Sequence, residues 1–212
     1  MPRYFTKGNI EDECELGGKV LKNKLGIRSK KEMDKVEYER LAATQAHYHG
    51  IIEPHTRFTN RLICKMHYHW LGSLYEWAGK YRTVNLAKMD FVWPPARFVS
   101  ANMDLFEETF LKKLTPCYQG SIETVSLNIS KVHAEFLLVH PFREGNGRLA
   151  RLISDLMALQ AGYPAPDFAF DQKKNRERYL VPVTKGYVQD YELLTHVVKE
   201  AMDRSKRLME TQ

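Results

Sequence analysis

The chain has 212 residues, 43% of them hydrophobic and 27% charged, and a net charge of +6. That length suits one domain with small extensions and a core that needs no disulfide staples. No apolar run approaches the roughly 20 residues of a membrane-spanning helix, which argues against an integral membrane class. The positive balance favours anionic ligands. Its basic residues fall in small clusters at 28–31, 173–178 and 204–207, so no dedicated nucleic-acid surface is expected. Cys14, Cys64 and Cys117 are odd in number and lack metal-ligand spacing, which reads as reduced thiols in a reducing compartment. The first residues lack the apolar core of a secretory signal, so a cytoplasmic location is expected, with export through another signal left open.

Taken in order, residues 1–30 mix glycine, lysine and asparagine with few apolar anchors and read as an arm docked on a helical domain spanning 31–212. Helix formers over 32–49 follow Ser29, an N-cap whose partner Glu32 completes a capping box. Leu62, Ile63, Met66, Trp70, Leu71 and Leu74 fall at helical spacing and predict a core-facing helix from about Asn60 to Glu76. The pattern then changes. Tyr81-Arg82-Thr83-Val84-Asn85-Leu86 is β-prone, and Phe91-Val92-Trp93 suits a return strand ended by Pro94-Pro95. Helices are predicted over 96–114, from about Ser121 to Val139, and from Leu149 to the stop at Gly162-Tyr163-Pro164. The second of these carries the most regular apolar face in the chain. A helix over 171–186, interrupted by Pro182, and an amphipathic one from about Tyr191 to Leu208 complete the reading.

The chemistry is concentrated in His140-Pro141-Phe142-Arg143-Glu144-Gly145-Asn146-Gly147-Arg148-Leu149-Ala150-Arg151. Gly145 and Gly147 free the backbone to turn on either side of Asn146. Successive amides in such a turn, placed before a helix, make an anion-binding concavity. Arg148 and Arg151 share a helix face and suit bidentate contact with phosphate oxygens. Glu144 is a hard oxygen ligand of the kind Mg2+ uses beside substrate phosphates. His140, ending the preceding helix, is placed to take a proton from an attacking hydroxyl. Pro141 is expected to hold His140 in an extended conformation. The pairs His47-x-His49 and His67-x-His69 are two apart and do not share a helix face, so they are poor metal-ligand pairs.

This stretch resembles the Fic-domain signature His-x-Phe-x-(Asp/Glu)-Gly-Asn-Gly-Arg-x-x-Arg, matched at His140, Phe142, Glu144, Gly145, Asn146, Gly147, Arg148 and Arg151. The resemblance implies an all-α Fic fold, a single helical domain with a short β-hairpin flap at about 81–93 beside the motif loop 140–151. It implies a protein adenylyltransferase that transfers AMP from ATP to a Tyr, Ser or Thr hydroxyl of a target protein. His140 would be the base and Glu144 the Mg2+ ligand. Gly145, Asn146 and Gly147 would cradle phosphates, with Asn146 at the α-phosphate. Arg148 would hold the β-phosphate and Arg151 the γ-phosphate. Tyr179 would line the adenine pocket. Tyr81, Arg82, Thr83, Val84 and Asn85 would form the flap strand that docks the target backbone by strand addition.

Many Fic proteins inhibit themselves through a helix bearing Ser/Thr-x-x-x-Glu-Gly/Asn, and this sequence contains no match. The expectation is therefore a bacterial toxin or effector checked in trans by a small antitoxin. Two alternatives stand beside it: a Fic enzyme transferring another phosphate-containing group, and a catalytically silent protein-interaction module.

Overall fold

A computed structural model describes residues 5–6, 14–15, 20–88, 91–168 and 185–210. The architecture is mostly helical, with one small sheet, as the resemblance implies. Three short strands, β1 (Phe5–Thr6), β2 (Leu86–Lys88) and β3 (Phe91–Val92), lie in the order β1-β2-β3, both pairings antiparallel. The helices are α1 (Lys30–Ile51), α2 (Asn60–Leu71), α3 (Val99–Phe106), α4 (Ile122–Val139), α5 (Asn146–Gln160) and α6 (Glu192–Glu210). A 3-10 turn at Ala96–Phe98 precedes α3, and a π-helical stretch, Glu107–Leu111, follows it. None of the described helices is long and apolar enough to cross a membrane. The helix expected over 171–186, with Tyr179 on it, lies almost wholly outside the described residues.

The chain divides into two compact units. One comprises Met1–Gly50, Asn60–Asp104 and Val139–Asn146. Its core gathers Val20, Leu21, Ile27, Met33, Trp70, Leu71 and Leu74. Helix α1 begins where the capping box predicts: the Glu32 amide donates to Ser29 Oγ at 3.4 Å, and the Met33 amide to Ser29 O at 3.0 Å. Glu37, only 4% exposed on α1, is satisfied inside the core. Its carboxylate accepts from Tyr75 OH at 2.7 Å and its carbonyl from Trp70 Nε1 at 2.9 Å. The predicted second helix stops early, at Leu71, and the chain continues through turns to Gly79. Gly79 has φ +76, and a Cβ there would meet Tyr68 Cβ at 2.8 Å, so this turn requires glycine.

The other unit comprises Ile51–Thr59, Leu105–Leu138 and Gly147–Gln212. The regular face read from the sequence is buried here: Val125, Ile129, Val132 and Phe136 on α4, with Leu149, Leu152, Ile153 and Leu156 on α5. Leu194, Val198, Ala201 and Met202 bury the apolar stripe of α6. Lys199 of α6 reaches Glu123 of α4 at 2.6 Å. The hydroxyl of Tyr191 donates to Glu135 at 2.5 Å, and burial raises the pKa of both groups.

Candidate active site

Within the first unit, residues 140–146 form a loop that is almost completely buried and held at several points. His140 is 4% exposed and takes φ +51, the left-handed region, rather than the extended conformation expected before proline. Arg82 provides the physical reason. Its Nε donates to the His140 carbonyl at 2.8 Å and its backbone amide to the Pro141 carbonyl at 2.8 Å, so the peptide groups on both sides of residue 141 are fixed from outside. A non-glycine residue in this region carries about 1 kcal/mol or more of strain and persists when its surroundings over-determine it. The indole of Trp93 supports the imidazole, ring centroids 4.0 Å apart.

Phe142 is fully buried and stacks on His67, centroids 3.9 Å apart and planes within 7°. The tautomer of His67 follows from its partners. Nδ1 accepts the Gly79 amide at 2.8 Å, so Nε2 carries the proton and donates to the Glu144 carbonyl at 3.1 Å. His67 is therefore a brace between the turn after α2 and the motif loop. Its spacing in the sequence held no signal for this role.

Glu144 is 7% exposed, and its Oε1 accepts the Gly145 amide at 2.9 Å. Gly145 has φ +87, and a Cβ there would lie 2.7 Å from Trp70 Cζ3, so a side chain is excluded twice over. Asn146 is fully buried in the loop. Its Oδ1 accepts the Phe142 amide at 2.9 Å, and its Nδ2 donates to the Phe142 carbonyl at 2.8 Å. The carboxamide thus closes the loop on itself.

Within the second unit, Gly147, Arg148 and Arg151 occupy the opening turns of α5. A Cβ on Gly147 would meet only Arg151 Nη1, at 3.9 Å, so this glycine leaves space beside a guanidinium. His133 is 1% exposed on α4, and its Nδ1 lies 2.8 Å from Ser154 Oγ, whose proton goes to the Ala150 carbonyl at 3.0 Å. Burial, helped by the Arg151 charge, holds the His133 imidazolium pKa down to about 3. An unfolded histidine takes a proton near pH 6.5, so between about pH 6.5 and 3 the unfolded chain binds a proton that the native state refuses. Stability is therefore full above pH 6.5 and falls as the pH drops, by up to about 1.4 kcal/mol per pH unit from this residue. Urea unfolding at pH 7 and pH 5 is expected to show a loss of about 2 kcal/mol that His133→Gln removes.

The flap differs from the sequence reading in register. Tyr81–Asn85 is not a strand; pairing starts at Leu86. Arg82, expected to face a target, is 4% exposed and turns inward, where Nη1 and Nη2 donate to the carbonyls of Val84 (2.9 Å) and Pro94 (2.7 Å). Burial lowers its pKa to about 10, so it is a cation at neutral pH. Asn85 Oδ1 accepts the Ala96 amide at 2.8 Å and so caps the 3-10 turn. Tyr81 is half-buried, 6.2 Å from the Phe142 ring. Thr83 and Val84 line a cavity of about 540 Å³ with Lys22, Lys80 and Arg143.

A buried imidazole clamped by its backbone, a carboxylate beside a positive-φ glycine turn and two arginines opening a helix are all carried by one twelve-residue motif. The Fic/DOC family model matches residues 57–158, a span that contains all of it. Over these 102 of its 212 residues the chain is similar to the Fic/DOC family. It is 29% identical over 177 residues to a probable protein adenylyltransferase of Sinorhizobium fredii, covering 82% of this chain and 88% of that protein. A protein adenylyltransferase Fic of Nematostella vectensis is 28% identical over 130 residues, which cover 61% of this chain and 29% of that longer protein. The crystal structure of BepC, a VirB-translocated effector of Bartonella tribocorum with bound AMPPNP, superposes with a TM-score of 0.72 at 19% identity. The match covers 90% of this chain and 96% of that one, and it supports the Fic fold read from the sequence.

Proposed function

We propose that this chain is a protein adenylyltransferase that moves AMP from ATP to a Tyr, Ser or Thr hydroxyl of a protein target. At the level of class it is a nucleotidyltransferase. The observation that carries the finer reading is His140: a buried imidazole at a strained backbone position, clamped by Arg82 and backed by Trp93. Evolved sites hold such strain where geometry matters to chemistry.

In the proposed step, the target hydroxyl loses its proton to His140 as its oxygen bonds to the α-phosphorus. The bond from that phosphorus to the bridging oxygen breaks, and pyrophosphate leaves. Arg148 would hold the β-phosphate and Arg151 the γ-phosphate, in the space that Gly147 leaves open. Glu144 suits Mg2+ as a single carboxylate, because Mg2+ commonly takes one or two carboxylates and completes its shell with phosphate and water oxygens. The ion would neutralise charge on the phosphates. A small protein inhibitor acting in trans and a toxin role belong to this proposal as its regulatory part.

Incubation with a cell extract and ATP labelled at either the α or the γ position is the direct test. Label is expected on protein from the α position alone. Label from γ, or none from either, overturns the reading. Arg151→Ala is expected to raise the KM for ATP about 10- to 100-fold, the loss of one charge-assisted bidentate contact.

A further inference from the structure

The cavity of about 540 Å³ lies wholly within the first unit, where three separated pieces of chain line it: residues 21–24, residues 76–84 and Arg143. Its volume is that of a small-molecule site. Of the loop 140–146, only Arg143 lines it; His140, Glu144 and Gly145 do not. Five lining side chains are cationic, Lys22, Lys24, Lys80, Arg82 and Arg143, and one, Glu76, is acidic. That carboxylate is met by Lys24 at 3.4 Å, and the same ammonium donates to the Gly72 carbonyl at 2.9 Å. Arg82 gives its Nε, Nη1 and Nη2 to three backbone carbonyls, so no carboxylate accepts from it. Burial is what lowers its pKa, and a carboxylate beside it would act the other way. Arg143 is 6% exposed, whereas Lys22 and Lys80 are exposed. An excess of positive charge in a concave, partly buried wall concentrates anions from solution.

We propose that this cavity is a site for a small polyanion carrying two or more phosphate groups, held by Lys22, Lys80 and Arg143. The site is separate from the residues assigned above to ATP, and it stands whether or not the chain transfers AMP. Lysine and arginine both suit phosphate, the first as a point charge and the second as a planar fork. The three side chains come from three different pieces of chain, so linked phosphate groups can bridge them where one carboxylate would satisfy one or two. Such a ligand ties the N-terminal arm, through Lys22, to the motif loop, through Arg143. Arg143 adjoins Glu144 and lies three residues from His140. Occupancy therefore restrains the loop that carries the imidazole, and local opening of that loop becomes rarer.

Pyrophosphate is the probe, and calorimetry on the full chain is the measurement. Because pyrophosphate can also meet the motif arginines, binding of a non-hydrolysable ATP analogue is measured beside it. The double variant Lys22→Gln, Lys80→Gln changes two exposed side chains. It is expected to melt with the wild type, to bind pyrophosphate at least about 10-fold more weakly, and to bind the ATP analogue within about twofold of wild type. At 100 times its dissociation constant, pyrophosphate is expected to raise the wild-type Tm by about 5–10 °C and to slow hydrogen exchange in residues 140–146. Pyrophosphate affinity unchanged in the double variant overturns the site, since binding then belongs to the motif alone. Equal losses for pyrophosphate and the ATP analogue overturn it too, by making the cavity part of the nucleotide site. A hexaglutamate peptide that binds more tightly than pyrophosphate, and loses that binding in the double variant, overturns the assignment to a small phosphate ligand.

Discussion

His140→Asn is expected to lower AMP transfer about 10²- to 10⁴-fold, the usual contribution of a positioned general base, with ATP affinity within about twofold of wild type. Asparagine is the informative replacement because of the backbone. Residue 140 sits at φ +51, and asparagine tolerates the left-handed region better than alanine does. Alanine removes the base, strains the loop and leaves a space under Trp93, so its effect mixes three causes. His140→Asn keeps a planar polar group at the same backbone angle and removes the capacity to accept a proton at neutral pH. Measurement of label transfer alongside ATP binding separates the causes. A loss below about tenfold, with intact binding, would show that another group takes the proton.

Arg82→Ala is expected to be the most damaging single change outside the motif. It withdraws donors from the carbonyls of His140, Val84 and Pro94 together. A buried carbonyl left without a donor costs about 1–3 kcal/mol, so the loss should be about 3 kcal/mol or more. For a chain of this size that is a fall in Tm of about 6–12 °C. Activity should fall further than stability explains, because the same guanidinium fixes the peptide group that aims His140. A catalytic group displaced by about 1 Å can lose about 10² in rate. Assays well below the lowered Tm separate the two effects. Arg82→Lys keeps the charge but offers a compact ammonium where a planar fork spans three acceptors, so it should recover part of the stability and little of the rate. A variant with wild-type turnover at low temperature would remove Arg82 from any positioning role.

Arg82 also shows where sequence reading ended. Its neighbours are β-prone, and an arginine in a hairpin beside a motif reads naturally as a contact for a partner. Nothing local says that its three acceptors lie 2, 12 and 58 residues away. The same applies to His67, whose acceptor lies 77 residues on, and to Trp93, which meets His140 from 47 residues away. The pairing of Phe5–Thr6 with β2 had no signal at all, because strand addition uses backbone groups that every residue carries.

The sequence by itself determined the helical class, the helices with a strong period such as α4, α5 and α6, the capped start of α1 and the membership of the motif. Each of these is a local property: apolar spacing, a cap three residues from its partner, glycines where a turn is needed. The tertiary structure alone decided the backbone angle of His140, the enclosure of Asn146 in its own loop, the inward turn of Arg82 and the register of the flap. These depend on where buried hydrogen-bonding groups find partners, and buried carbonyls and amides are satisfied by whatever donor or acceptor the fold brings to them.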